Sequence, residues 1–241
     1  MTEVREIEIS KIEEPKEALR SYFTKEALDL GIFVGVGIVE SVIVKKHSAE
    51  VKVLIKQICD MVRRKYVLET LRENPIIKAY RRFFWKIGID PTKTRPSSEA
   101  LIRRVLRGKN IPSINNVVDV GNAVSMESLI SIGIYDVDKI KGKMAFRLSF
   151  EGEIFKPIGG HIEVLKEGIP VLADEEKILH LYPHRDSIDT MVTENTKNVL
   201  VISAGVPGIS KERVCYAVKR TCELLSKYAD GCVKVLNILP S

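Results

Sequence analysis

The sequence has few cysteines, few aromatic residues and no long uninterrupted apolar run. Its 241 residues include 4 cysteines without a CxxC pair, and Phe, Trp and Tyr make up 6% of the chain. Isolated cysteines argue against a zinc knuckle and against a disulfide framework. The longest apolar stretch, residues 30–44, is interrupted by glycine, glutamate and serine, so it falls short of the roughly 20 residues of a membrane helix. We therefore predict no metal site, no cofactor and no contact with a membrane.

The first residues also lack the features of an export signal. Charged and apolar residues alternate from the third position, and this pattern is incompatible with the apolar centre of a secretory signal. We therefore expect a cytoplasmic protein. Because 45% of the residues are hydrophobic, the chain is able to bury a sizeable core, and we expect most of it to fold.

Positive charge is concentrated in one part of the chain. The formal net charge is +6, yet residues 60–110 alone contain 14 Lys or Arg against 5 Asp or Glu, a net charge of +9. Such a stretch suits phosphate binding, because each neutralised phosphate releases counterions. The same charges also fit a set of solvated helix faces, so both interpretations stay open. The arginines that we predict to bind RNA are Arg63, Arg64, Arg81, Arg82, Arg103 and Arg104.

Hydrophobic periodicity predicts helices in the first half of the chain and mainly strands in the second. The predicted helices cover about residues 15–30, 48–72, 75–88, 98–107, 115–129 and 210–228. The run GIFVGVGIVE predicts a buried strand before the second helix, and CVKVLNIL predicts a strand at the end of the chain. Short alternating runs from residue 144 to 204, with TMVT at 190–193 among them, predict an antiparallel or mixed sheet system.

Polar residues recur at helical spacing within the apolar stretch NNVVDVGNAVSMESL. Asn115, Asn116, Asp119 and Asn122 lie three or four positions apart, so their side chains approach one another on a helix. One interpretation is that they cap turns and tie the helix to a neighbouring loop. The other is that they face a ligand, and the sequence leaves both open.

Several separated segments resemble the B3/B4 editing module of the phenylalanyl-tRNA synthetase beta subunit. The run NNVVDVGNAVSMESLISIGIYDVDKIKG, at 115–142, is similar to the B3 signature, in which a V-D-x-x-N helix precedes a turn and a Y/F-D-x-D-K segment. The runs GIPVLADEEKIL and TENTKNVLVISAG are similar to the B4 half. The stretch RPSSEALIRRVLRGKNIP also resembles freestanding proteins that carry this module without a synthetase.

The resemblance implies an α+β fold with a β-rich B3/B4-type sandwich core and flanking helices. We expect an N-terminal helix–strand–helix segment, 1–75, to pack on a B3/B4-like domain, 76–241, as one compact unit. In the family this module hydrolyses tyrosine wrongly attached to the phenylalanine tRNA. The resemblance therefore implies a pocket for an amino acid, or for the aminoacylated end of a tRNA, between the 115–136 unit and the strands of 170–205.

The family's functional positions are only partly kept in this chain. Asn122 matches the pocket asparagine, and Asp119 and Asp136 match the framing aspartates. Gly133 stands where the bacterial pattern has a histidine, and Ile202 stands where it has a glutamate. Two of the groups most directly tied to tyrosine editing are therefore absent.

The segment HLYPHRDSIDTMVT, residues 180–193, has the densest polar chemistry of the chain. We predict His184 and Asp186 as catalytic residues, because a histidine of ordinary pKa suits proton transfer near neutral pH. Arg185 is expected to hold a carboxylate or phosphate. The predicted substrate-binding residues are Asn116, Asp119, Asn122, Gly133, Asp136, Arg185, Ser187 and Thr190. The alternative is a turn stabilised by Asp and Ser side chains that bond to backbone amides.

Two classes of function follow from these observations. The leading hypothesis is an RNA-associated protein that binds aminoacyl-tRNA or its amino acid, with hydrolysis of a mischarged ester in trans as a further step. The alternative is a non-catalytic module that binds a free amino acid or another protein. The sequence does not distinguish between them.

Overall fold

The computed structural model describes residues 21–240, and within this range the chain forms six α-helices and eleven β-strands. The helices are α1 (Lys25–Asp29), α2 (Ala49–Lys65), α3 (Pro75–Lys86), α4 (Ser97–Leu106), α5 (Asn116–Ser128) and α6 (Lys211–Tyr228). The strands are β1 (Ser21–Phe23), β2 (Phe33–Glu40), β3 (Ile132–Asp136), β4 (Met144–Leu148), β5 (Ile154–Phe155), β6 (Glu163–Val164), β7 (Pro170–Ala173), β8 (Ile178–Leu181), β9 (Arg185–Asp186), β10 (Val199–Gly205) and β11 (Cys232–Leu239).

The strands form three sheets. One sheet has the order β1-β4-β7-β8-β9 and is antiparallel except for the parallel pair of β1 and β4. The second sheet has the order β11-β2-β10-β3, and all its pairs are antiparallel. The strands β5 and β6 form a separate two-stranded ribbon. The strand β3 thus lies at one edge of the four-stranded sheet.

The main core lies between the two larger sheets. It joins residues of the four-stranded sheet, such as Val36 and Ile202, to residues of the five-stranded sheet, such as Phe146 and Leu172. A second apolar cluster lies on the other face of the four-stranded sheet, where it buries residues of α2, α5 and α6. This layering follows from period-2 alternation, because successive side chains of a strand point to opposite faces.

Polar side chains define where the longer helices begin. Ser48, Asn74, Asn115 and Ser210 each accept a hydrogen bond from a backbone N–H of the first turn of the helix that follows. Such a cap satisfies one of the N–H groups that a helix start leaves without a partner. The predicted starts of α2, α3, α5 and α6 agree with the structure to within one residue.

The predicted α+β fold, with a sandwich core and flanking helices, is confirmed. Three local predictions differ from the structure. The helix expected over 15–30 lies outside the described residues up to position 20, and from there the chain forms β1 and the short α1. The helix expected over 48–72 ends at Lys65, because Tyr66 adopts an extended conformation. The expected strand 190–193 is absent, since Ser187 caps a short 3-10 helix over 188–190.

The first part of the described chain contributes directly to a sheet. The strand β2 is an inner strand of the four-stranded sheet, with β10 on one side and β11 on the other. Residues 33–40 are therefore bonded to two strands of the C-terminal part of the chain. The division at residue 75 stays a prediction. Within 21–240 no helix has the length and apolarity that a bilayer span requires.

Candidate functional site

Two cavities meet at Asn122, which lies on the exposed side of α5. This half-buried residue lines both of them, and its side chain makes no hydrogen bond with any other residue of the range 21–240. The amide therefore keeps its donors and its acceptor for a ligand.

The first cavity is a cleft of about 530 Å³ beside α4. We call it the cationic cleft, because four of its lining residues carry a positive charge, namely Arg95, Arg104, Arg107 and Lys109. Within the described chain none of these four side chains forms a salt bridge. Gly108 adopts a φ of +73°, which ends α4 and turns the chain between two of these cations. The lining thus gives this cleft a concentration of positive charge.

The second cavity is smaller, about 130 Å³, and lies between α5, β3 and the segment that follows β9. Most of its walls are aliphatic, and they include Val118, Ile132, Ile134, Ile158, Met191 and Val192. Asn122, Tyr135, Asp186 and Ser187 supply its polar groups. We call this cavity the apolar pocket.

Asp186 is held in the apolar pocket by two hydrogen bonds to one of its oxygens. The Tyr135 hydroxyl donates to Asp186 Oδ1 at 2.7 Å, and His180 Nδ1 lies 2.8 Å from the same oxygen. Burial and the Asp186 carboxylate raise the pKa of Tyr135 well above its ordinary value, so the phenol keeps its proton. The other oxygen, Oδ2, has no hydrogen-bond partner within 21–240, and the side chain is 36% exposed. Asp186 therefore offers one oriented oxygen to a ligand.

The free edge of β3 faces the same pocket. The ladder with β10 continues at both ends through hydrogen bonds of the Ser131 carbonyl and of the Val137 N–H. Because hydrogen-bonded residues alternate along an antiparallel ladder, the backbone groups of Ile132 and Ile134 point away from β10. Both residues line the apolar pocket. Their N–H and C=O groups are therefore available at its wall.

Comparison with known proteins identifies the family to which this arrangement belongs. The family model of the B3/4 domain matches residues 79–230, which is more than half of the chain. The chain belongs to the B3/4 domain family. This membership confirms the resemblance on which the sequence interpretation relied.

The curated relatives of this B3/4 domain include phenylalanine–tRNA ligase beta subunits from several bacteria. The protein from Aquifex aeolicus is 34% identical over 163 residues, which cover 58% of this chain and 21% of the relative. The protein from Protochlamydia amoebophila is 33% identical over 104 residues, which cover 43% of this chain and 13% of the relative. The chain thus matches only a small part of the length of these relatives.

One solved structure has a similar fold over almost the whole chain. It is an N-terminal fragment of the phenylalanyl-tRNA synthetase beta subunit from Pyrococcus horikoshii, with a TM-score of 0.51 and 17% sequence identity. The match covers 97% of this chain and 57% of the fragment. A likeness at this level of identity shows the fold alone.

The two positions at which the sequence predicts a departure from the bacterial editing pattern are cross-strand neighbours. Gly133 of β3 pairs with Ile202 of β10. The phenol of Tyr135 occupies the space above Gly133, so a Cβ at position 133 would collide with its hydroxyl oxygen. Ile202 is buried in the core between the sheets. The places of the histidine and the glutamate are thus filled by Tyr135 and by an aliphatic side chain.

His184 lines the cationic cleft, whereas Asp186 lines the apolar pocket, so the two predicted catalytic residues face different cavities. The His184 ring packs edge-on against Phe84, with 5.4 Å between ring centroids. Burial, together with the charges of His180 and Arg185, lowers the pKa of His184 to about 3. The imidazole is therefore neutral at pH 7. The prediction that His184 transfers protons near neutral pH assumed an ordinary histidine pKa. In this environment His184 does not have that pKa.

The same pKa shift makes the stability of the fold sensitive to acid. An unfolded histidine takes up a proton near pH 6.5, whereas folded His184 does so near pH 3. Between these values the unfolded chain binds more protons, so the free energy of unfolding falls as the pH falls, by up to about 1.4 kcal/mol per pH unit. We expect the variant His184→Phe to lose stability less steeply than the wild type in urea titrations between pH 6.5 and 4. Identical pH dependence of the two proteins would refute this assignment.

Three residues of the predicted substrate set tie parts of the B3/4 domain together. The Asn116 side chain accepts from the Lys45 N–H and donates to the carbonyls of Ile43 and Tyr228. Asp119 accepts from the Ser113 hydroxyl and from the Ile114 N–H, and Asp136 accepts from the Thr196 hydroxyl at 2.6 Å. Their hydrogen-bonding capacity is thus committed to neighbouring loops. For Asn116 and Asp119 this agrees with the interpretation in which they cap turns and tie the helix to a neighbouring loop.

The remaining predicted residues of the polar segment are Arg185, Ser187 and Thr190. Arg185 forms a salt bridge with Glu163 of β6, and Ser187 accepts from the Asp189 N–H. Thr190 is fully buried, and its hydroxyl has no hydrogen-bond partner in the described chain. Of this segment Asp186, Ser187, Met191 and Val192 line the apolar pocket, and His184 lines the cationic cleft.

The six predicted RNA-binding arginines occupy unlike environments. Arg81 and Arg103 both contact the buried carboxylate of Glu99, at 3.6 Å and 2.6 Å. Arg63 pairs with Asp60, while Arg64 and Arg82 are exposed. Arg104 alone of the six lines the cationic cleft.

The sequence interpretation missed four residues of the two cavities, namely Arg95, Arg107, Lys109 and Tyr135. It also missed the contact of His180 with Asp186. The three cations belong to the basic stretch 60–110. The excess of positive charge therefore predicted the region that contains the cationic cleft, but not which side chains line it. Tyr135 lies in the Y/F-D-x-D-K motif, and its contact with Asp186, 51 positions away, has no local signal.

Proposed function

We propose that this B3/4 domain binds the aminoacylated end of a tRNA. The observation that carries the proposal is the position of Asn122, which joins a cleft lined by four cations to a small pocket with aliphatic walls. The aminoacylated end of a tRNA has a matching group for each cavity. Its phosphates suit the cationic cleft, and the side chain of its amino acid suits the apolar pocket. The named relatives are tRNA ligase subunits, which agrees with tRNA as the partner.

The cationic cleft supplies the affinity for the tRNA backbone in this proposal. Arginine binds phosphate oxygens through paired N–H donors, and each phosphate that it neutralises releases counterions. Such contacts position an RNA without reading its sequence. The choice among aminoacyl groups therefore falls to the apolar pocket.

Hydrolysis of the aminoacyl ester is a second candidate function, favoured by Asp186. Asp186 lines the pocket together with Ile132 and Ile134 of β3, and its Oδ2 has no hydrogen-bond partner within 21–240. A carboxylate with a free oxygen is able to orient a water molecule. The edge N–H groups would then bind the oxygen of the carbonyl under attack. If the domain does not hydrolyse the ester, it is a non-catalytic binding module, which is the alternative function that the sequence also allows.

The test compares three ligands under one salt condition: an aminoacylated tRNA, the same tRNA after deacylation, and a DNA duplex. We expect the aminoacylated tRNA to bind more tightly than the deacylated form, and Asn122→Ala to reduce this difference. A panel of correctly and wrongly charged tRNAs, incubated with the wild type and with Asp186→Asn, measures deacylation in parallel. Hydrolysis that depends on Asp186 would establish an esterase, and binding without hydrolysis would establish the binding module. Absence of tRNA binding at low salt would contradict the proposal.

A further inference from the structure

The apolar pocket contains the Asp186 carboxylate, which forms no salt bridge with a lysine or an arginine within residues 21–240 and is hydrogen-bonded through its side chain only to Tyr135 and His180. Its other polar side chains are neutral. The nearest cationic residue in sequence, Arg185, is paired with Glu163. The two donors on Asp186, from Tyr135 and His180, share Oδ1 and leave Oδ2 open. A ligand for this pocket therefore needs a positively charged donor next to an apolar group.

We propose that the pocket selects amino acids with a free α-ammonium group and an apolar side chain, and that the Asp186 carboxylate binds the ammonium. This inference rests on the proposed function and names the class of aminoacyl group within it. The ammonium of an aminoacyl ester is separated from the side chain by a single carbon. Both groups are thus close enough to meet Asp186 and the aliphatic walls at the same time.

The orientation of the carboxylate supports recognition of the ammonium group. Hydrogen bonds from Tyr135 and His180 hold Oδ1 of Asp186 in place. The carboxylate is therefore already oriented, and a ligand that binds Oδ2 does not have to order it first. A charge-assisted hydrogen bond between ammonium and carboxylate is among the stronger polar contacts in proteins. Acylation of the amino group removes its charge and most of its donors. An N-acylated amino acid is therefore expected to bind poorly.

The walls of the pocket support an apolar side chain. Isoleucine, valine and methionine side chains line it, and the Tyr135 proton is committed to Asp186. Gly133 and Ile202 offer no polar atom at the two positions where the bacterial editing pattern has polar groups. Of the neutral polar side chains at the pocket, Asn122 lies at the junction with the cationic cleft, and Ser187 accepts from the Asp189 N–H. Neither is a dedicated partner for a side-chain hydroxyl, and such a site discriminates weakly between side chains that differ by one hydroxyl. Tyrosine thus gains no preference over phenylalanine here.

The carbonyl of the bound amino acid also has a partner in this geometry. The N–H groups of Ile132 and Ile134 lie along the free edge of β3 at the pocket wall. An edge strand offers such groups to an extended peptide-like ligand. Each group of an apolar amino acid thus has a partner in the pocket. The Asp186 carboxylate matches the ammonium, the edge N–H groups match the carbonyl, and the aliphatic walls match the side chain.

The test uses isothermal titration of the full chain with L-isoleucine methyl ester and with its N-acetyl derivative. We expect N-acetylation to weaken binding at least about tenfold, because a hydrogen bond to a charged group is worth roughly 1.5–3 kcal/mol. The variant Asp186→Asn, which keeps an oxygen acceptor for Tyr135, should weaken binding of the free-amino ester by a similar factor. The matched control is Asp189→Asn, since Asp189 follows three positions later, pairs with Lys156 and lies outside the pocket. Its affinity should equal that of the wild type.

Three results would overturn the inference: equal affinity for the two esters, no effect of Asp186→Asn, or no binding of any ester. A tyrosine ester that binds more than about tenfold more tightly than a phenylalanine ester would overturn its apolar part, because such a ratio needs a polar partner for the hydroxyl. Binding of deacylated tRNA is measured on the same samples. If tRNA binds while the esters fail, only the present inference falls. If no tRNA binds, the proposed function falls with it.

Discussion

Replacement of Arg104, Arg107 and Lys109 together by alanine is expected to lower the affinity for tRNA about 100-fold at physiological salt, since each lost phosphate contact costs about 1 kcal/mol. The three cations line one cleft and have no carboxylate partner among the described residues. The slope of log affinity against log salt should become shallower by about one unit per removed contact. Filter binding at several salt concentrations measures both quantities.

The control for this variant removes the same charge from another surface. Lys211, Arg213 and Lys227 lie on α6, are exposed and do not line the cationic cleft. Their joint replacement by alanine reduces the net charge equally, so any general effect of charge appears in both variants. We expect the α6 variant to retain most of its affinity and its salt slope. Equal losses in the two variants would mean that tRNA is attracted by overall charge, and the cleft would lose its assigned role.

The second large effect concerns stability. Arg103→Ala is expected to lower the free energy of unfolding by about 3 kcal/mol, because it leaves a buried carboxylate without its main partner. Glu99 is fully buried, and Arg103 Nε lies 2.6 Å from its Oε1. Arg81 reaches the same oxygen only at 3.6 Å, and Glu99 Oε2 has no hydrogen-bond partner within 21–240. The remaining contact is therefore too weak to compensate.

The adjacent residue provides the matched control, since Arg104 lies on the same helix and is exposed. Urea unfolding of Arg104→Ala should give a stability within about 0.5 kcal/mol of the wild type, as for most surface substitutions. The tRNA affinity of Arg104→Ala should fall, whereas that of Arg103→Ala should change little under conditions in which it is folded. A stable Arg103→Ala variant with weakened tRNA binding would contradict this assignment, in which Arg103 stabilises the fold and Arg104 binds tRNA.

The sequence by itself determined most of the secondary structure and the class of the fold. Helix caps such as Ser48 and Asn115 act within one turn, and the alternation of apolar residues acts within one strand, so both signals are local. The ordered segments shared with the B3/B4 pattern then identified the family, as the match over residues 79–230 confirms. The excess of charge in 60–110 also located the cationic surface, because the helices that carry it are close in sequence.

Only the tertiary structure decided which of these residues share a cavity. Arg103 and Arg104 are equivalent in the sequence, yet one neutralises a buried glutamate and the other lines a cleft, because helical rotation places adjacent side chains about 100° apart. Tyr135 and Asp186 meet through a contact between β3 and β9, strands of different sheets. Burial likewise altered the chemistry of His184, since desolvation depends on every element packed around it. Residue types and local spacing are written in the chain, whereas proximity, burial and charge compensation arise only when distant segments pack together.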